Sequence, residues 1–290
     1  MMTTSIHAKS VRVDGIELAY VEQGVGDPVV LVHGGGATDL RTWSSQIEPF
    51  ARHYRVIAYS QRYHWPNAWI GDGWDVNSTP LHVADLAGLI RALDLGPCHV
   101  VGSSYGADVA LLLAYQHPEL VRSLVLGEPG LQRWLRSLPD GAALEAEYIQ
   151  TLAPAAQAVQ RGDLEAATRL FIDAVLGPGL YDQLPASVRE RLRDNARLLG
   201  FERPDLDDSP FGCAEAGMIT APALLLTGDD SPAMFGLVAE ELARCMPGIE
   251  RALIPNAAHL LHGMNPAAYN ATVLAFLDRH AGPTAPGVGA

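Results

Sequence analysis

The feature that most constrains this chain is a rhythm. Short apolar runs at 28–32, 55–59, 97–101, 121–126, 222–227 and 249–254 alternate with longer stretches whose apolar residues recur at helical spacing. In 81–95, Leu81, Ala84, Leu86, Leu89, Ile90 and Leu93 show that spacing. Strands separated by helices pair in parallel, because the crossover returns the chain to the end where it began. The rhythm therefore predicts an α/β fold with a mostly parallel sheet. Two further runs, 11–13 and 16–21, flank Asp14-Gly15, a strong hairpin signal.

The rhythm breaks between Leu131 and Met218. No strand reads clearly there, while 143–160, 164–175 and 186–199 read as helices punctuated by Pro139, Pro154, Pro178 and Pro185. It then resumes, with helices expected at 232–246 and 266–280. The expected organisation is a core domain over 1–130 and 219–280, a helical cap over 131–218, and a frayed glycine- and proline-rich tail over 281–290.

Composition narrows the classes of function. Hydrophobic residues are 48% of the 290, enough for a sizeable core, and the net charge of −13 repels phosphate backbones, so nucleic acid is not an expected partner. No secretory signal and no run of membrane-spanning length is visible, so the expectation is a cytoplasmic protein with no membrane partner. The three cysteines, Cys98, Cys213 and Cys245, are too sparse for a disulfide framework and read as reduced thiols, with no metal site. Neither a dinucleotide fingerprint nor a P-loop occurs, and no cofactor is expected.

The chemistry sits at the ends of the apolar runs. Gly102-Ser103-Ser104-Tyr105-Gly106 fits G-x-S-x-G between an expected strand and an expected helix. A sharp turn there projects the hydroxyl of Ser104 away from the sheet, and the helix N-terminus behind it favours developing negative charge. Upstream, His33-Gly34-Gly35-Gly36 follows the run at 28–32. A glycine loop lets backbone N–H groups approach a developing oxyanion, and losing one such donor costs about 3–4 kcal/mol of barrier. The expected donors are the N–H groups of Gly35 and Tyr105, with Gly36 as the fallback. His33 reads as a hydrogen-bonded structural histidine.

A serine hydroxyl needs a neighbour to take its proton. Of ten histidines, His259 lies in a small-residue loop, Pro255-Asn256-Ala257-Ala258-His259, directly after the last expected strand. Such loops carry the reactive groups of open α/β sheets. His262, three residues on, is the other candidate and is otherwise a pocket wall. The carboxylate that orients the histidine has two possible sources. Glu128 follows the run at 121–126, and Asp229 and Asp230 follow the run at 222–227; both are strand ends, so Glu128 with Asp230 as the alternative stays open.

Taken together, His33-Gly34, Gly102 to Gly106 and Ala258-His259, in this order and spacing, resemble the cap-containing α/β-hydrolases over nearly the whole chain. The resemblance implies an eight-stranded, mostly parallel sheet with helices on both faces and a helical cap after the sixth strand. Many members carry the acid three residues after the glycine that ends the seventh strand; here that position, counted from Gly228, is Ser231. Other members use a carboxylate after the sixth strand, the placement of Glu128. A second departure is Tyr59-Ser60-Gln61-Arg62-Tyr63-His64, which replaces the usual Asp-x-Arg-Gly stretch. Serine at the elbow argues against dehalogenase and epoxide hydrolase chemistry. What remains is hydrolysis of a carboxylic ester or lactone through an acyl-enzyme, with C–C bond hydrolysis of a diketone-type compound, or a non-catalytic ligand-binding homologue, as alternatives.

The expected partner is a small ester or lactone with an apolar part. Its pocket is expected to draw on Gly36, His33, Trp65, Trp69, Trp74, Trp134 and His262, because aromatic side chains in loops over strand ends form apolar walls. Arg62 is expected to form a structural ion pair.

Overall fold

The computed structural model describes residues 8–69, 78–200 and 211–282. Eight strands form one sheet in the order β1-β2-β4-β3-β5-β6-β7-β8: β1 Lys9–Val13, β2 Ile16–Gln23, β3 Pro28–Val32, β4 Arg55–Tyr59, β5 Cys98–Ser103, β6 Val121–Gly127, β7 Ala223–Gly228 and β8 Glu250–Ile254. β1 pairs antiparallel with β2, and β2 with β4; the rest of the sheet is parallel. The first hairpin turns through Asp14 and Gly15, both at positive φ, as its tight right-twisting connection requires.

The apolar runs form central strands because both faces are covered. Every residue of β5 is buried. Helices α2 (Thr79–Ala92) and α3 (Tyr105–Gln116) build one core, with Leu86, Leu89, Leu111 and Leu113 packed on Val30, Val32 and Val100. On the other face α1 (Ser44–Ala51) and the last helix, α11 (Pro266–Arg279), bring Phe50, Val273 and Phe276 against Val29, Leu31 and Val101. Arg62 pairs with buried Asp85 on α2, the structural ion pair expected of it.

Between β6 and β7 the described chain is helical: α4 Gln132–Leu135, α5 Gly141–Gln160, α6 Leu164–Leu176, α7 Leu180–Gln183, α8 Ala186–Asp194 and α9 Cys213–Ala216. The single helix expected over 186–199 is broken. It stops at Asp194, and Ala196–Gly200 winds as a tighter 3-10 helix. The break falls at Asn195, whose side chain accepts from the Trp65 N–H at 2.7 Å and donates to Asp39 at 2.7 Å, stitching the insert to the loops after β3 and β4.

The expectation of three reduced thiols is overturned. Cys213 on α9 and Cys245 at the end of α10 (Ala233–Cys245) form a disulfide, and Cys98 alone stays free, its thiol pushed up to about 12 by burial. The pair is 32 residues apart in sequence and meets only because α9 packs beside α10. No helix among the described residues is long and apolar enough to cross a membrane. Of the tail assigned to 281–290, residues 283–290 lie outside the described chain.

Candidate active site

The sheet reverses its strand order at β3, which lies between β4 and β5, so the loops after β3 and β5 diverge and leave a crevice. The glycine loop and the elbow flank it. Ser104 adopts φ 54° and ψ −126°, a conformation costly for an L residue, and its N–H is anchored to the Gly127 carbonyl at 2.7 Å. The elbow closes only because its flanks are glycine. A Cβ on Gly102 would lie 2.5 Å from the Gly106 carbonyl oxygen, and one on Gly106 would lie 2.3 Å from the Val32 carbonyl oxygen.

Ser104 Oγ stands 2.8 Å from His259 Nε2, and His259 Nδ1 stands 2.8 Å from Glu128 Oε2. A carboxylate only accepts, so Nδ1 carries the hydrogen and Nε2 offers its lone pair to the Ser104 hydroxyl. Glu128 is 1% exposed, and its other oxygen accepts from the Gly228 N–H at 2.8 Å. Phe235 of α10 stacks on the imidazole with ring centroids 3.7 Å apart. The loop bearing His259 is held by Asp229, whose carboxylate accepts from the N–H groups of Asn256 and Ala257; those bonds lower its pKa. Asp230 is exposed and only its backbone N–H bonds that loop, at the Ala257 carbonyl. Of the two carboxylates left open by the sequence, the structure brings Glu128 to His259 and leaves Asp230 outside.

Above these residues lies a cavity of about 570 Å³. Gly35 and Tyr105 line it, and Tyr105 opens α3, where a backbone N–H has no helical acceptor. Trp134 and His262 line it too. Trp134 donates to the Phe211 carbonyl, while His262 stacks on Trp43 and meets Thr42 Oγ1 at 2.9 Å. Burial and the neighbouring His259 push His262 down to about 3, so it stays neutral near neutral pH.

Four residues expected in the pocket lie elsewhere. His33 is fully buried behind the glycine loop; its Nδ1–H donates to the Gly34 carbonyl at 2.6 Å and its Nε2 accepts from the Gln61 N–H. Gly36, at φ 62°, is pressed on Phe171, which a Cβ there would meet at 2.8 Å. The Arg41 guanidinium covers Trp65 at 3.7 Å, and Trp69 stacks on Tyr63. Trp65 thus packs against the loop after β3, and Trp69, 36% exposed, stacks within its own loop. Trp74 lies outside the described residues. The wall is mainly aliphatic instead, supplied by the insert through residues such as Leu152, Ile172, Val175, Val188 and Leu192. Sequence reasoning also missed Phe235, since nothing in a helix-face phenylalanine distinguishes a ring that stacks on an imidazole from a core residue.

Comparison with known proteins agrees with this architecture. A Mycobacterium tuberculosis protein named as a non-heme bromoperoxidase is 30% identical over 90% of this chain and 97% of its own length. The 2-hydroxy-6-oxo-2,4-heptadienoate hydrolase of Pseudomonas putida is 38% identical over 127 residues, 41% of this chain and 43% of that one. The crystal structure of the enol-lactonase from Burkholderia xenovorans superposes with a TM-score of 0.73 at 20% identity, covering 93% of this chain and all of that one. The family model described as the alpha/beta hydrolase fold matches residues 27–266, and the chain belongs to that family.

Proposed function

We propose that this protein is a serine hydrolase that cleaves a carboxylic ester or lactone through an acyl-enzyme. The observation that carries the reading is the unbroken chain Ser104 Oγ, His259 Nε2, His259 Nδ1, Glu128, with 2.8 Å at both joints. Ser104 Oγ attacks the acyl carbon as its proton passes to His259 Nε2. The carbonyl electrons move onto oxygen, where the N–H groups of Gly35 and Tyr105 receive them. Glu128 stabilises the imidazolium. On collapse the C–O bond breaks and Nε2 gives the proton to the leaving alcohol oxygen, which in a lactone stays tethered to the acyl chain. Water then repeats the sequence, its proton passing to His259, and Ser104 leaves with that proton. The aliphatic wall suits an apolar acyl or alcohol part.

A panel of lactones and p-nitrophenyl esters of graded acyl length tests this. Hydrolysis by the wild type, lowered about 10³-fold or more in Ser104→Ala, is the expected result. Hydrolysis unchanged in that variant would remove Ser104 from the mechanism.

A second reading, cleavage of a C–C bond in a diketone-type acid, is favoured by Arg191. This half-buried guanidinium lines the cavity, and among the described residues its hydrogen bond is a long one, 3.5 Å, to the Arg41 carbonyl. It could therefore hold a substrate carboxylate. A dienoic keto acid added to the panel separates the two: turnover faster than any ester, with KM raised in Arg191→Leu, would favour C–C cleavage.

A further inference from the structure

A stretch that departs from the family pattern, Tyr59 to His64, ends in a side chain that the proposed reaction does not use. His64 is 3% exposed and lines the cavity. Its Nδ1 lies 3.0 Å from the Arg62 carbonyl oxygen, which can only accept, so Nδ1 carries the hydrogen and Nε2 presents a lone pair. That Nε2 is buried and has no hydrogen-bond partner among the described residues. Burial pushes the imidazole down to about 4, so near neutral pH it is an acceptor and not a cation.

A second orphan lies on the same cavity. Thr79, at the start of α2, is 4% exposed and lines the cavity, and its Oγ1 also lacks a partner among the described residues. A buried polar atom left without a partner costs about as much as a lost hydrogen bond, so two such atoms on residues that line one cavity call for an occupant. The position is informative as well. The His64 ring packs edge-on against His33 with centroids 4.6 Å apart, and His33 holds the Gly34 carbonyl of the oxyanion loop. A Cβ on Gly34 would stand 3.3 Å from the Ser104 Cβ. The orphan imidazole therefore sits on the glycine-loop side of the nucleophile.

We propose that His64 Nε2 and Thr79 Oγ1 form a polar subsite that receives a hydroxyl group of the substrate, so that the protein acts on hydroxylated acyl compounds. A hydroxyl is the neutral group that suits both: its hydrogen meets the imidazole lone pair, and its oxygen can accept from threonine. A substrate carboxylate would face the lone pair of a neutral imidazole and be repelled. The proposal rests on the ester or lactone hydrolase reading for its substrate class, though not for the binding itself.

Matched p-nitrophenyl esters, plain and carrying a β-, γ- or ω-hydroxyl, test the kinetic consequence. The wild type is expected to prefer one hydroxylated ester over its plain partner by about three- to ten-fold in kcat/KM. That ratio should fall to about one in His64→Phe and in Thr79→Val, and recover in part in His64→Gln, which restores an acceptor. Absence of preference at every position, or a ratio unchanged in the variants, overturns the proposal.

A binding measurement keeps the outcome independent of turnover. In Ser104→Ala protein with isotope-labelled histidine, the His64 Nε2 resonance, identified by its absence in His64→Gln, should move upfield with one of the β-, γ- or ω-hydroxyhexanamides and not with hexanamide. A shift without ester hydrolysis in the wild type would sink the hydrolase reading and leave the subsite standing. A resonance that none of the hydroxyamides moves overturns the subsite, even if esters are cleaved.

Discussion

At the residue scale the account turns on which carboxylate faces His259. Glu128 is buried and bonded to both Nδ1 and the Gly228 N–H, whereas Asp230 is exposed. Glu128→Gln keeps the shape but gives Nδ1 an amide whose donor face can enforce the wrong tautomer. It is expected to lower kcat by about 10²–10⁴, with Asp230→Asn within about two-fold of wild type. Steady-state kinetics on one ester decide; equal losses would mean that neither geometry governs the histidine. The sequence restricted the acid to two strand ends and went no further by spacing alone, because period and turn chemistry locate the end of a strand but not the direction its side chain takes. The same limit explains the pocket. Trp65 and Trp69 are large apolar residues in a loop over the crevice, yet Arg41 and Tyr63 claim their rings first. Apolar character marks a residue for burial; it does not say whether the burial is against a ligand or against the protein.

At the element scale, the strand-to-helix elbow was readable because its requirements are local. A non-glycine φ of 54° at Ser104 needs neighbours without side chains, and G-x-S-x-G supplies them. Gly106→Ala tests this directly. Its Cβ would meet the main-chain oxygens of Val32 and His33, which cannot rotate away as a side chain could. The expected outcome is loss of activity of about 10²-fold or more, as when a reacting group is misplaced by about 1 Å, with a lowered melting temperature. Wild-type activity in a folded Gly106→Ala protein would show that the elbow is not under this constraint. The apolar runs, too, were legible as strands within one or two residues, since continuous hydrophobicity over a few residues fits a strand covered on both faces. The break at Asn195 was not, because it is set by two tertiary hydrogen bonds with no counterpart in the local pattern.

At the scale of the whole molecule two forces can be tested. The Cys213–Cys245 disulfide closes a loop with a sequence separation of 32, worth about 3–4 kcal/mol on the loop-entropy account. Reduction should lower the melting temperature by about 5 °C, read by calorimetry with and without reductant. Cys213→Ser should reproduce the effect; an unchanged melting temperature would contradict it. The second force is a set of buried neutral histidines. Burial holds His64 and His99 at about 4 and His262 at about 3, and pushes His33 and His82 well below the ordinary value. Their folded values lie below the unfolded one, so the stability they confer is fully present above about pH 6.5. It is lost as pH falls from there towards 4, because the unfolded chain takes up protons that the folded one refuses. His64, His99 and His262 should each withdraw about 2 kcal/mol between pH 7 and pH 5. Urea midpoints should fall steeply across that interval; a flat profile would show that these imidazoles are not held neutral.

The most direct test of the central claim is covalent. Treating the protein with a fluorophosphonate and mapping the adduct by peptide mass spectrometry should find one modification, on Ser104, with labelling strongly slowed in His259→Ala. A folded wild-type protein that takes no label, or takes it on another residue, would contradict the account.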